Sequence, residues 1–240
     1  MQFAGRPVED DVTPGQWIAD AVRADFTVGS LLPPVFEAYA RVFHPATRFD
    51  DVEDVDVTWA EVAAANATVA HPAMEWGSIT GLMEFFDGAD QSPLWNMAPA
   101  LGHLPEHVAR RLVEVLRRHT TTPDDCWFGV WNGWGGLQVD RPTLSLPRRE
   151  HWLVRGPIDL AAVNMDAEPS EQSASLSWPA DRAWAVATDI DLVTTYVAGS
   201  AACIAELVAD PGLEAAEIPV SQGITWNTDT VNPLPLDGPD

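Results

Sequence analysis

The 240-residue chain contains no lysine: its 13 basic residues are all arginine, against 36 aspartates and glutamates. A Walker-type phosphate loop needs a lysine and is thereby excluded. The missing lysine, together with abundant alanine, matches the codon bias of a G+C-rich genome. The shortage of positive charge leaves a formal −23 at pH 7. That charge repels the phosphate backbones of DNA and RNA, so ordinary nucleic-acid binding is not expected. It favours solubility and would speed encounter with a basic partner. Cysteine is scarce too. Cys126 and Cys203 stand far apart, match no metal or redox spacing, and lie among apolar neighbours. They read as small core residues of a protein kept in a reducing compartment. No run approaches the ~18 apolar residues that cross a bilayer. Residues 1–7 lack a basic region followed by an apolar stretch, so no signal peptide is expected and a cytoplasmic location follows. Neither a Gly-x-Gly-x-x-Gly nor a Gly-x-Ser-x-Gly signature occurs.

Hydrophobic residues make up 46% of the chain, enough for a substantial core at this length. The patterns predict one α+β domain over residues 1–228 and a loose tail over 229–240, without internal repeats. Its helix-rich N-terminal half would pack on a mainly antiparallel sheet supplied by the C-terminal half. Thr13 and Pro14 open a helix to about Arg23. Leu31-Leu32-Pro33-Pro34 leads into a second helix, Val35 to Phe43, burying Phe36, Tyr39 and Phe43. Thr58-Trp59-Ala60-Glu61 has capping-box spacing and starts a third, to about Val69. Residues 72–104 read as loops and short helices. Pro105 to His119 is the best-marked helix, with Glu106/Arg110 and Glu114/Arg118 pairs. Phe26 to Val28, Cys126 to Trp131, Thr143 to Leu146, His151 to Val154 and Trp184 to Ile190 read as strands. Asn132-Gly133 predicts a hairpin with return strand Trp134 to Val139. Residues 164–177 read as an exposed loop. Gly199-Ser200 leads into a helix to about Val208, and Glu217 to Trp226 supplies an edge strand.

Eleven tryptophans are the least ordinary feature. Trp127, Trp131 and Trp134 lie among Gly129, Asn132, Gly133, Gly135 and Gly136. Their indoles could stack a sugar, a base or a peptide aromatic, or could fill the core. Asp189 and Asp191 would share one face of a strand, where they could hold a cation, act as an acid/base pair, or pair with nearby Arg182. His103 and His107 have helical metal-pair spacing, but Pro105 starts the helix between them and no metal site is expected. The acidic run 50–56 fails the EF-hand pattern and reads as a solvated connector. His71, Glu75 and His151 could serve as acid/base groups, though nothing in the sequence brings them together. Gly199-Ser200 could hold an anion or act as an ordinary helix cap.

The stretch from Trp178 to Asp191, with Thr195 to Ser200 and the segments Cys126 to Gly129 and Trp131 to Gly135, resembles a group of uncharacterised proteins from high-G+C bacteria. That likeness implies no activity. Leu32-Pro33-Pro34-Val35-Phe36-Glu37-Ala38-Tyr39 resembles the SUKH superfamily of immunity and interaction proteins. With the charge, this implies a non-enzymatic, immunity-like acidic interaction protein that binds a basic partner such as a toxin domain and carries no cofactor. The alternative is an enzyme or small-ligand binder, with a cleft built from Trp127, Trp131, Trp134, Arg182, Asp189 and Asp191. A third reading is a structural subunit that self-associates through exposed tryptophans.

Overall fold

The computed structural model describes residues 2–49, 52–81, 90–133, 140–166, 171–232 and 234. A small hairpin, β1 (Gln2–Phe3) with β2 (Arg6–Pro7), precedes a 3-10 turn at Thr13–Gly15 and a single turn of helix, α1 (Gln16–Ala19). A second 3-10 turn, Val28–Ser30, leads to strand β3 (Ala38–Phe43). A second hairpin follows, β4 (Ala46–Phe49) with β5 (Asp54–Val57). Helices α2 (Trp59–Ala65), α3 (Trp76–Thr80) and α4 (Glu106–Arg117) come next. The rest is rich in strand: β6 (Cys126–Trp131), β7 (Leu144–Leu146), β8 (Arg149–Gly156), β9 (Leu176–Pro179), β10 (Ala185–Ala187), β11 (Thr194–Gly199) and β12 (Ala215–Glu217). A 3-10 turn at Ile158–Ala162 follows β8, and helix α5 (Ala201–Val208) lies between β11 and β12.

Eight strands form one antiparallel sheet in the order β12-β3-β11-β10-β9-β6-β8-β7. Side chains alternate across it, so each face carries its own core. Ala40, Val42, Phe128, Val130, Val154 and Val197 lie on one face, under Leu112 and Leu116 of α4 and Ile204 and Leu207 of α5. Tyr39, Leu153, Leu176, Trp178, Ala187 and Tyr196 lie on the other, under Ile18, Val28, Leu32 and Ile218. A third cluster closes one end, where Phe43, Trp59, Trp76 and Trp95 meet with successive ring centroids 4.9, 5.2 and 5.2 Å apart. Among the described residues, no helix is long and apolar enough to cross a membrane.

The α+β class is as expected, but the expected helix-rich N-terminal half is not. Helix accounts for 22% and strand for 26% of the described residues, and the helices are short and scattered along the chain. The decisive correction is Val35 to Phe43. Phe36, Tyr39 and Phe43 fit a helical stripe, yet Ala38–Phe43 is an interior strand between β11 and β12 with every residue buried. A strand covered on both faces is apolar on both, here in every residue but Arg41, which hides the period of two that would distinguish it from a helix. The first expected helix shrinks to a 3-10 turn and one turn of α1. The third ends at Ala65, just before Ala67 takes a left-handed φ of 55°. Residues 164–177 are no simple exposed loop. Met165, Gln172, Ser173 and Ser175 are buried, and Leu176 starts β9. The expected return strand Trp134 to Val139 lies outside the described residues; among those described, β6 pairs with β8 and β9.

The capping box does form. Thr58 Oγ1 accepts from Glu61 N at 3.2 Å, and Glu61 accepts from Thr58 N at 2.8 Å. Glu214, from the loop before β12, accepts from the next two free donors, Trp59 N and Ala60 N, at 2.6 and 2.8 Å. Thr58→Ala should therefore lower stability by about 1 kcal/mol, read as a lower urea midpoint with an unchanged slope.

Candidate functional site

Arg149 and His151 stand two residues apart on β8. They share the face of Leu153, and so of Leu176 on β9 and Ala187 on β10. Beyond β10 the chain turns through Asp189 and Asp191 into β11. Arg149 Nε and Nη2 donate to the two carboxylate oxygens of Asp189 at 3.2 and 3.1 Å, and Nη2 also donates to Asp191. Asp189 steadies its own turn as well, accepting from Asp191 N at 3.0 Å. Burial alone would lower the pKa of Arg149, but the two carboxylates hold it above the ordinary guanidinium value.

Beside this ion cluster lies a pocket of about 260 Å³. Its walls are Phe26, Leu31, Leu146, Leu176, Leu192 and Ile224, with Arg23 and Arg148 also lining it. His151 is its buried polar group, 3% exposed, and its Nδ1 has no hydrogen-bond partner. Burial pushes the imidazole pKa down to about 4. At neutral pH the ring is therefore uncharged, one nitrogen a donor and the other an acceptor. A buried polar atom without a partner costs roughly 1–3 kcal/mol, so a group that reached Nδ1 would recover part of that cost. Ser175 also borders the pocket with an unpartnered Oγ. His151 and Ser175 are thus the two pocket-lining residues with a buried polar atom that has no partner.

The five described residues of the six singled out from sequence do not gather in one place. Trp131 is half-buried, with the Arg149 guanidinium 5.7 Å from its ring centroid, so Trp131, Asp189 and Asp191 gather at one end of the sheet. Trp127 and Arg182 lie at the other end. Arg155 covers the Trp127 ring at 5.3 Å and Arg182 covers Trp17 at 5.2 Å. Arg182 sits in the turn before β10 and the aspartates in the turn after it, so the strand separates them. Asp189 and Asp191 belong to that turn rather than to a strand face. Trp134 lies outside the described residues. Six tryptophans, at 59, 76, 95, 152, 178 and 184, are buried in the cores. Sequence reasoning missed Arg149 as the partner of the aspartates. The available signal was its two-residue spacing from His151 in an expected strand.

The other candidates resolve into structural roles. His71 Nε2 lies 3.0 Å from Asp229 Oδ1, and Asp229 Oδ2 accepts from Glu75 N at 3.3 Å. Glu75 also accepts from Arg41 at 3.1 Å and from Thr228 at 3.2 Å. Burial would raise the Asp229 pKa, but hydrogen bonds from Asn232 and Val231 hold it below the usual carboxylate value. These contacts anchor residues 228–232, the last including the start of the expected tail. His103 pairs with Glu171 at 3.3 Å, and His107 with Asp56 at 2.9 Å. Ser200 caps α5, accepting from Cys203 N at 3.2 Å. Burial pushes the Cys126 and Cys203 thiols up to about 12 and about 11, so neither is a ready nucleophile. No family model, curated protein or solved structure matches the chain.

His44 is buried like His151, and burial pushes its pKa down to about 4 as well, below the 6.5 of a free imidazole. Between about pH 6.5 and 4 the unfolded chain takes up protons that the native state refuses, so these rings make stability fall as pH falls through that window. His151→Gln stays neutral and should flatten the urea-midpoint profile across it. An unchanged slope would mean that the native ring is already solvated.

Proposed function

We propose that this protein binds a small, mainly apolar molecule in the pocket beside Arg149 and His151. The observation that carries this reading is that His151, whose Nδ1 is buried without a partner, lines a pocket together with Leu31, Leu146, Leu176, Leu192 and Ile224. Structural histidines satisfy both ring nitrogens, as His44 does with Ala100 O at 2.8 Å and Thr195 Oγ1 at 2.9 Å. The Asp189–Arg149–Asp191 cluster fixes the polar edge of the pocket, and strands β7 and β9 contribute Leu146 and Leu176 to its wall. This retains the aspartate pair of the ligand-binding alternative but replaces its tryptophan and glycine lining with aliphatic side chains.

A fragment screen read by thermal shift tests the proposal. At about 100 times Kd a ligand adds about 2.7 kcal/mol, roughly 5–10 °C for a chain of this size. The shifts should disappear in Leu146→Trp, which fills the pocket, and shrink in His151→Leu. Hits that persist in both variants would place binding elsewhere.

A second reading, an acidic protein that docks on a basic partner, draws support from the surface charge. Eight of the arginines already pair with carboxylates of this chain, so the surface excess is negative. Affinity for such a partner should drop steeply between low and physiological salt. Salt-independent capture would count against it.

A further inference from the structure

The pocket's rim carries a charge opposite to that of the whole molecule. Three of the chain's 13 arginines, Arg23, Arg148 and Arg149, line this one pocket. Arg149 is consumed by Asp189 and Asp191. Arg23 and Arg148 are exposed and form no ion pair among the described residues. The nearest carboxylate in sequence to Arg23, that of Asp25, turns back on its own loop, accepting from Thr27 Oγ1 at 2.7 Å and Thr27 N at 3.2 Å. Two of the five arginines that form no ion pair among the described residues thus line the same pocket, in a chain with 36 acidic residues.

The rim is also built at a conformational cost. Phe26 has a φ of 56°, a left-handed conformation that a bulky side chain rarely adopts, and the residue is 46% exposed. The bridge of Thr27 to Gly223 and the bond from Ile224 N to Phe26 O at 3.0 Å hold it there. The exposed ring serves as a platform, with the Arg148 guanidinium stacked 3.7 Å from its centroid. Stacking leaves the in-plane N–H donors of that guanidinium free to point outward, the geometry with which arginine takes an anion.

We propose that the occupant of the pocket is a small amphipathic anion. Its apolar body lies against Leu146, Leu176 and Ile224, its carboxylate or phosphate head sits on Arg23 and Arg148, and a polar atom of the body meets His151. This rests on the pocket being a ligand site, and the two ideas fail differently. Titration calorimetry with octanoate, 8-hydroxyoctanoate, their two primary amides and octyl phosphate separates them. The anions should bind roughly tenfold more tightly than the neutral amides, and the tighter of octanoate and octyl phosphate identifies the head group. The Arg23→Ala/Arg148→Ala double variant should lose that preference while keeping the affinity for the amides. Equal binding of anions and amides overturns the anionic head and leaves the pocket standing as a ligand site. Failure of every probe, or binding that survives Leu146→Trp, overturns both.

Discussion

The arrangement depends on one buried cation. Arg41 stands in β3, in the interior of the sheet, and is 3% exposed. A guanidinium cannot shed its charge, so a fold that buries one must surround it with acceptors. Arg41 donates to Met74 O at 2.7 Å and to Glu75 at 3.1 Å. Aromatic faces flank it, with Phe43, Trp59 and Tyr196 centroids 5.0, 5.5 and 6.0 Å away, while its Nε has no hydrogen-bond partner. These demands draw the 74–76 segment onto the sheet. Glu75 in turn receives Thr228, and its backbone N–H binds Asp229, so the 225–232 segment is fastened through the same centre.

That second fastening connects the buried charge to the pocket. The segment pinned at Thr228 and Asp229 is held further back by the bridge from Gly223 to Thr27, and Ile224 lies between these anchors. Ile224 walls the candidate pocket and also a neighbouring cavity lined by Arg41, Glu75 and Trp226; Asp191 and Leu192 border both. The ion pair in the core and the apolar wall of the site are thus linked through a few residues. Sheet and loops divide the work: β8, β9 and β10 supply His151, Leu176 and Ala187 on a rigid face, while loops bring Phe26, Arg148 and Ile224 over them.

Legibility in the sequence follows the range of the interaction concerned. Thr58 and Glu61 cap a helix three residues away, and their spacing is visible in one dimension. The α4 stripe and the strands at 126–131 and 151–154 are also local patterns, and they appear nearly where expected. Ala38–Phe43 reads as helix from its own residues because its surroundings make it a strand: β11 and β12 arrive from more than 150 positions downstream. The site shows the same division. Asp189 and Asp191, expected on one strand face, meet instead in a turn, and their cation is Arg149, 40 and 42 positions earlier. Arg182, nearer in sequence, is carried away by β10. The tryptophans drew attention through their number, yet six of them are core, since an indole serves apolar packing as readily as recognition.

The global charge and the local one act on different steps of binding. A net −23 slows the approach of any anion, and that long-range term is screened over about 8 Å at physiological salt. Once the ligand is within the pocket, the nearby guanidiniums dominate, because short-range charge-assisted hydrogen bonds outweigh screened charges elsewhere on the surface. Added salt would therefore quicken association by muting the repulsion and quicken dissociation by weakening the head-group contacts. The equilibrium constant would change less than either rate. A basic protein partner would behave otherwise, since salt would slow its association while also loosening the complex. The sign of the salt effect on the association rate thus separates a small anion seated among arginines from a cationic partner drawn to the surrounding acidic surface.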